Sequence, residues 1–195
     1  MLVGPVYGAF YRDLTTTTSV HLEYVYVQDE DQFSPGGAYA IQAGFEAAKA
    51  RGRNIKALMI CNPHNPLGRC YPLDTLVRIL RLCASKNFHL VSDEIYGLSI
   101  YKRHDRPSET FTSVRSIDFA GLISPNLVHV LYGMSKDFGA AGMRLGCVIS
   151  QNDEFNKAAR AIWSDSIFGQ DQLNNWDKLT EYHSSAALIL LLNYR

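Results

Sequence analysis

The sequence predicts an α/β fold, a three-layer αβα sandwich built on a mostly parallel sheet. Short continuous apolar runs such as Ile55–Cys61 are typical of strands that are covered on both faces. These runs alternate with segments of helical apolar spacing, and glycine, proline or asparagine marks each change. Alternating strands and helices form parallel sheets, because each helix returns the chain to the start of the next strand.

The first half of the chain contains two predicted strands and two predicted helices. Ser19–Val27 alternates apolar and polar residues and is rich in β-branched ones, which favours a strand. "AYAIQAGFEAAKARG", residues 38–52, is predicted as a helix that ends at Gly52. The run Ile55–Cys61 is the next strand. Residues 73–87 have helical spacing after Pro72, which suits the first turn of a helix.

The second half continues the alternation and then loses it. "FHLVSDEIY" (88–96), "LVHVLYGMS" (127–135) and "RLGCVIS" (144–150) are predicted strands. "DEFNKAARAIW" (153–163) is predicted as a helix, because its first turn is acidic. After residue 163 the pattern indicates a helix or two at most and no further strand.

Composition excludes several classes of protein. The 195 residues suit one domain, and 19 basic residues balance 19 acidic ones, so no basic field indicates a nucleic-acid partner. The apolar run Ala186–Leu192 is too short to span a bilayer, and the N-terminus lacks the regions of a signal peptide. The four cysteines have no paired metal-ligand spacing, and no metal site is predicted. These features predict a cytoplasmic protein with free thiols.

Polar clusters follow three of the predicted strands. They are "NPHNPLG" (62–68), "SDEIY" (92–96) and "GMSK" (133–136). In open α/β sheets, ligands bind beyond the carboxyl ends of the strands, so we expect the three clusters to converge on one crevice.

The residue types in these clusters suit one kind of ligand. A partly desolvated Lys136 favours its neutral amine, the form that makes Schiff bases. Arg144 and Ser135 are fitted to hold a phosphate, and the buried carboxylate of Asp93 requires a cationic partner such as a protonated pyridine nitrogen. Further groups include two donors for a phenolate oxygen and one aromatic ring to stack on a flat ligand: Tyr96, Asn65 and Tyr7. Together they describe a site for pyridoxal 5'-phosphate.

Three segments carry a family resemblance. "NPHNPLG", "SDEIY" and "SKDFGAAGMRLG" resemble the class I/II aminotransferases, which are pyridoxal-phosphate-dependent transferases of fold type I. The same three segments, together with "GPVYGAFYRDL" near the start, resemble the 1-aminocyclopropane-1-carboxylate synthase-like branch of this family. The resemblance runs from about Gly4 to about Trp163.

The resemblance implies a role for each matching residue. Lys136 corresponds to the catalytic Schiff-base lysine, which also moves the substrate α-proton, and Asp93 to the partner of the pyridine nitrogen. Tyr96 and Asn65 correspond to the donors to the 3′ oxygen of the cofactor. Arg144 and Ser135 correspond to phosphate ligands, and Tyr7 to the stacking ring. His64 and His89 are interpreted as structural, and Glu94 is expected to point away from Asp93.

The sequence also departs from the family pattern. Gly133 stands where many members have a serine phosphate ligand. The glycine-rich turn, the N-terminal segment and the C-terminal domain with its carboxylate-binding arginine have no counterpart. The resemblance therefore implies a large domain truncated at both ends, with residues 1–165 as a partial cofactor-binding domain and 166–195 as a divergent helical tail.

The function implied by the resemblance is action on α-amino acids, by transamination as the default. Two alternatives stay open: a lyase like 1-aminocyclopropane-1-carboxylate synthase, and a truncated, non-catalytic remnant that binds pyridoxal phosphate. The implied partners are a small amino-acid substrate and a second copy of the chain in a homodimer, with no nucleic acid or membrane.

Overall fold

The strands in the described part of the chain form a single sheet. A computed structural model describes residues 1–16, 18, 20–27, 32–101, 110–166 and 188–192. Within them, seven strands lie in the order β2-β1-β3-β4-β5-β6-β7, and only the β5–β6 pair is antiparallel. The strands are β1 (Leu2–Gly4), β2 (Tyr24–Tyr26), β3 (Ala57–Cys61), β4 (His89–Asp93), β5 (Val128–Gly133), β6 (Leu145–Ser150) and β7 (Leu188–Leu192). The predicted mostly parallel sheet is confirmed.

Helices connect the strands. They are α1 (Phe10–Thr15), α2 (Pro35–Ala50), α3 (Leu73–Lys86) and α4 (Asp153–Ser166). The Ser34 hydroxyl caps α2 by accepting a hydrogen bond from the Gly36 N–H at 3.1 Å. Helix α3 ends because Asn87 adopts a left-handed conformation with φ of 52°. Both long predicted helices are therefore present, and α2 starts three residues before its predicted start at residue 38.

The main core lies between one face of the sheet and helices α2 and α3. It contains the fully buried side chains of Ile41, Leu76, Ile79 and Leu80, which pack with sheet residues such as Leu90. Burying one such aliphatic side chain contributes roughly 1.5–3 kcal/mol. This cluster holds the inner strands in place, so the ends of β3, β4 and β5 are fixed relative to one another.

Helix α4 covers the other face of the sheet. Val128 and Val130 belong to the core shared with α2 and α3, so His129 between them points to the opposite face. The Phe155 ring of α4 stacks on the His129 ring with centroids 4.3 Å apart. Helices on both faces of a central sheet form the predicted three layers.

The structure differs from the predictions at three strands. Strand β1 was not predicted, because three residues are too few for a recognisable alternation, and the strand predicted at Ser19–Val27 is reduced to Tyr24–Tyr26. The expectation of no further strand after residue 163 is wrong, since Leu188–Leu192 pairs in parallel with β6. Residues 167–187 and 193–195, which fall within the predicted helical tail, lie outside the described residues. Among the described helices, none is long and apolar enough to cross a membrane.

Candidate functional site

Three parallel strands end side by side at one edge of the sheet. Cys61, Asp93 and Leu131 are register partners across β3, β4 and β5, so the polar clusters that follow these strands begin at the same level. Because β6 runs antiparallel to β5, Arg144 at its start also lies at this edge. The predicted convergence of the clusters is present in the fold.

Lys136 and Tyr96 come together at this edge. The Lys136 Nζ lies 5.8 Å from the centroid of the Tyr96 ring, although the residues belong to the turns after different strands. The Lys136 side chain is exposed and Tyr96 is half-buried. The expected partial desolvation of Lys136 is therefore wrong for this structure, because its turn projects from the end of the sheet into solvent. Within the described part of the chain, the Lys136 amine has no other contact of note, so it is available to react.

Asp93 is the last residue of β4, and its carboxylate is largely removed from water. Its Oδ1 accepts a hydrogen bond from the Ile95 N–H at 3.2 Å. Burial raises the pKa of Asp93, and the Ile95 hydrogen bond opposes this in part. Among the described residues, Asp93 has no cationic partner. A carboxyl group in this state favours a positively charged ligand, which would keep it ionised.

Cys61 links Asp93 to the loop after β3. The pKa of the Cys61 thiol is raised to about 12, mainly by burial and also by the nearby Asp93, while the backbone N–H of Asn65 opposes the increase. Its Sγ donates to the Pro63 carbonyl at 3.2 Å. Asn65 and Asp93 therefore lie on two sides of one buried thiol, and this brings the Asn65 loop close to the end of β4.

Buried hydrogen bonds fix the loop that carries Asn65. The fully buried Asn62 donates through Nδ2 to the Thr112 carbonyl at 3.1 Å and accepts from the Tyr71 N–H at 3.0 Å. His64 is also buried, and its Nδ1 accepts from the Leu67 N–H at 3.4 Å. These contacts are consistent with the structural role predicted for His64, and they show why the Asn-Pro loop keeps one shape.

Glu94, the neighbour of Asp93, has a different environment. Its Oε1 accepts hydrogen bonds from the Ser92 hydroxyl and the Val114 N–H, both at 3.0 Å. Burial raises the pKa of Glu94, and a hydrogen bond with Ser113 is the largest opposing effect. Glu94 is thus committed to holding the segment at Val114, and it does not form an acid pair with Asp93.

Two of the residues predicted to bind phosphate are placed at the turn between β5 and β6. Ser135 is half-buried, whereas Arg144 is exposed, has φ of 51°, and donates through Nη1 to the Ala141 carbonyl at 3.1 Å. At Gly133, a Cβ atom would lie 3.1 Å from the Leu145 carbonyl oxygen. The close approach of β5 and β6 therefore explains why glycine, and not serine, suits position 133.

Tyr7 follows β1 and is 42% exposed. Its ring contacts Phe10 edge-on, with centroids 5.4 Å apart. Since β1 is parallel to β3, Tyr7 lies beyond the same edge as the other predicted residues. The structure shows no direct contact between Tyr7 and the Lys136–Tyr96 pair.

One residue with several contacts at this edge was missed by the sequence analysis. The Asp137 carboxylate accepts hydrogen bonds from the Tyr132 hydroxyl and the Leu98 N–H, both at 2.8 Å, and from the Ser99 hydroxyl at 2.5 Å. The available signal was its position directly after Lys136, but two of its partners, Leu98 and Ser99, lie in the turn after β4 and are not visible in a local pattern.

At the described residues, no group of three or more histidine, cysteine or acidic side chains could hold a metal ion. The four cysteines form no disulfide with one another, and three of them are buried. His89 and His129 share a hydrogen bond of 2.8 Å on the face covered by α4, and His129 in turn contacts Ser150 at 2.9 Å. His89 thus has structural contacts, as predicted.

Known proteins resemble this chain over most of its length. It is 35% identical over 164 residues to 1-aminocyclopropane-1-carboxylate synthase 1 of Prunus mume, an alignment covering 84% of this chain and 32% of that protein. It is 49% identical over 102 residues to the probable aminotransferase tcpI of Claviceps purpurea, which covers 51% of this chain and 24% of the relative. The chain thus spans about a third or less of the length of these relatives.

A solved structure shares the fold. Cystalysin from Treponema denticola, which contains a pyridoxal 5'-phosphate cofactor, superimposes with a TM-score of 0.64 at 21% identity, covering 86% of this chain and 39% of cystalysin. The family model "Aminotransferase class I and II" matches residues 2–176. The order of motifs, the sheet and this match agree, and the chain belongs to the class I and II aminotransferase family.

Proposed function

We propose that this chain binds pyridoxal 5'-phosphate and acts on α-amino acids, with transamination as the reaction. The observation that carries the proposal is that Lys136, Tyr96 and a partly buried Asp93 lie at one edge of the sheet, and that no described residue gives Asp93 a cationic partner. A reactive amine, an aromatic hydroxyl and a carboxyl group that favours a cation match the functional groups of this cofactor.

Asp93 supports the proposal most directly. A pyridine nitrogen that is protonated would supply the positive charge that the described residues do not provide to this carboxylate. When bound, the cofactor would supply an electron sink for the bonds at the substrate α-carbon. The role of Asp93 is then to hold a proton at the pyridine nitrogen, and its burial strengthens that interaction because little water competes for it.

The other residues at the edge would bind and orient the ligand. Lys136 would hold the aldehyde through Nζ until the amino group of the substrate displaces it, and the freed Nζ would then carry the α-proton. Tyr96 and Asn65 would donate hydrogen bonds to the ring oxygen. Ser135 and Arg144 would hold the phosphate, which requires the Arg144 guanidinium to give up its bond to the Ala141 carbonyl. Tyr7, which is partly exposed, would stack on the ring.

A second reaction class is favoured by one comparison. Of the two sequence relatives described above, the one that aligns over the longer stretch is a 1-aminocyclopropane-1-carboxylate synthase. Its name indicates an elimination that closes a three-membered ring. This outcome needs the same lysine and carboxylate as transamination, so the residues at this edge support both. We further propose that the active form is a homodimer.

The first experiment tests cofactor binding. We expect the purified chain to develop a visible absorbance band with pyridoxal phosphate, and borohydride reduction should fix the cofactor on the Lys136 peptide. Lys136→Ala should abolish both signals. Lys56→Ala is the matched control, since Lys56 is an exposed lysine just before β3, at the opposite end of the strands. Equal labelling of the wild type and Lys136→Ala would refute the proposal.

The second experiment separates the reaction classes. Addition of α-amino acids to the loaded protein should remove the visible band if the amino group is transferred, and a 2-oxo acid should appear. A substrate with a sulfonium group at its γ-carbon should instead release a thioether if the lyase alternative applies. If the cofactor-loaded protein reacts with neither the α-amino acids nor the sulfonium substrate, the chain binds the cofactor without catalysis. This result would contradict the proposed reaction.

A further inference from the structure

Asp137 joins two turns that belong to different strands. Its carboxylate accepts hydrogen bonds from Leu98 and Ser99, which follow β4, and from Tyr132, which lies in β5. Asp137 itself is in the turn after β5, next to Lys136. One side chain therefore connects the turn that carries Lys136 with the turn that carries Tyr96.

The position of the Lys136 amine depends on this connection. The Lys136 side chain has no hydrogen bond or ion pair among the described residues. Its Nζ lies 5.8 Å from the centroid of the Tyr96 ring. Tyr96 is in turn tied to the same segment, because its carbonyl accepts from the Ser99 N–H at 2.9 Å. The distance from Lys136 to Tyr96 is thus set by how the two backbones are held together.

The donors that contact Asp137 are suited to a hydrogen-bonded connection that persists at neutral pH. Burial raises the pKa of Tyr132 to about 12, and its hydrogen bond to Asp137 acts in the same direction. The Tyr132 hydroxyl therefore remains a donor at neutral pH. The Leu98 amide is a fixed backbone donor, and hydrogen bonds to an ionised carboxylate are stronger than those between neutral groups.

We propose that Asp137 is a positioning residue, which fixes the Lys136 turn against the Tyr96 turn through its hydrogen bonds to Tyr132, Leu98 and Ser99. This inference rests on the proposed function, in which Lys136 carries the cofactor. Asp137 does not touch the reacting atoms in this account. It acts by holding the Lys136 backbone.

Two substitutions at one position distinguish hydrogen bonding from charge. Asp137→Ala removes both carboxylate oxygens and with them all three hydrogen bonds. Asp137→Asn keeps one carbonyl oxygen, which has two lone pairs and can accept from Tyr132 and Leu98, while its amide donates to the Ser99 hydroxyl. The asparagine variant should therefore preserve the geometry without the charge. Asp118→Ala is the matched control, because Asp118 is exposed and accepts only the local Ala120 N–H at 3.0 Å.

The ligand-free protein gives the first readout. We expect amide hydrogen exchange at Leu98 to accelerate about 10- to 100-fold in Asp137→Ala, since a hydrogen bond to a charged group is lost. Asp137→Asn should stay within about threefold of the wild type, and Asp118→Ala should not change Leu98. Unchanged exchange in Asp137→Ala would overturn the link, and so would an asparagine variant that behaves like alanine.

Pyridoxal phosphate gives the second readout. We expect Asp137→Ala to attach the cofactor at Lys136 at least about tenfold more slowly and to show weaker visible circular dichroism, with rescue by Asp137→Asn. Cofactor attachment at the wild-type rate in Asp137→Ala would overturn the positioning role. If Asp137→Ala does not fold, Ser99→Ala and Tyr132→Phe each remove one donor, and each should give a smaller change in the same direction.

The two proposals fail in different ways. A wild-type chain that never attaches pyridoxal phosphate would refute the proposed function, whereas Leu98 exchange in the ligand-free variants would still decide whether Asp137 holds the two turns. Normal attachment in the wild type with no effect of Asp137→Ala would refute the positioning role alone.

Discussion

The buried His129, which pairs with the half-buried His89, should make the protein lose stability in mild acid. His129 is 1% exposed, it shares a hydrogen bond with His89, and its ring is covered by Phe155 of α4. Burial lowers the pKa of His129 to about 4 from an ordinary value of 6.5, and the neighbouring His89 acts in the same direction. His129 therefore binds a proton less readily in the folded protein than in the unfolded chain.

The size of the effect follows from these two pKa values. Below pH 6.5 the unfolded chain binds the proton and the folded chain does not, so stability falls as the pH decreases, and the loss ends near pH 4. Proton linkage gives a loss of about 2 kcal/mol at pH 5 relative to pH 7.5, and about 3 kcal/mol at pH 4.

Two carboxyl groups change the stability with pH in the opposite direction. Their contribution is removed by comparing the wild type with a variant. The pKa values of Asp93 and Glu94 are raised by burial, so these carboxyl groups favour the folded state as they become protonated. The assay is urea unfolding at several pH values for the wild type and His129→Gln. The quantity of interest is the difference between their pH dependences, because the carboxyl groups contribute equally to both.

Between pH 7.5 and pH 5, we expect the free energy of unfolding of His129→Gln to fall by about 2 kcal/mol less than that of the wild type. His21→Gln, at an exposed histidine, should follow the wild type throughout. Parallel curves for His129→Gln and the wild type would refute the reasoning, since they would show that His129 is protonated equally in both states.

Three further predictions concern packing, charge and buried polar groups. Gly44→Ala would place a methyl group 2.2 Å from Cγ2 of Val25, and should lower the free energy of unfolding in urea by about 1–3 kcal/mol. Glu23→Gln weakens two exposed ion pairs and should lower it by less than about 1 kcal/mol, with a smaller effect at high salt. Asn62→Ala leaves the buried Tyr71 N–H unpaired and should lower it by about 1–3 kcal/mol, measured by the same method.

Each of these predictions has a control. Gly8→Ala should have no steric effect, because no atom lies within 4 Å of a Cβ at Gly8. For Glu23, an effect that is unchanged in high salt would contradict an origin in ion pairing. For Asn62, a loss below about 0.5 kcal/mol in Asn62→Ala would show that its hydrogen bond to the Tyr71 N–H does not stabilise the fold.

The sequence determined the elements that have a strong internal period. Helix α3 was predicted over 73–87 and is observed at Leu73–Lys86, because its buried side chains recur at helical spacing and Asn87 can adopt the left-handed conformation that ends it. The inner strands were recognised because both of their faces are covered, so nearly every residue is apolar. The parallel arrangement then followed from the alternation of strands with helices.

The main residues of the candidate site were also predictable. Lys136, Asp93 and Asn65 follow strands that are neighbours in the sheet, and the ends of parallel strands meet at one edge. The chemistry of these residues was apparent because a lysine and an acidic residue are unusual next to buried strands. Their individual roles with the cofactor remain predictions.

Tertiary structure alone decided the features that depend on pairing between distant segments. Local patterns do not give the direction of a neighbouring strand, so the antiparallel β6 and the parallel partner β7 were not foreseen. The hydrogen bonds of Asp137 with Leu98 and Ser99, and the contact between His89 and His129, join residues about 40 positions apart. Sequence periodicity records which face of an element is buried, whereas these contacts exist only once the folded core has brought separate strand ends together.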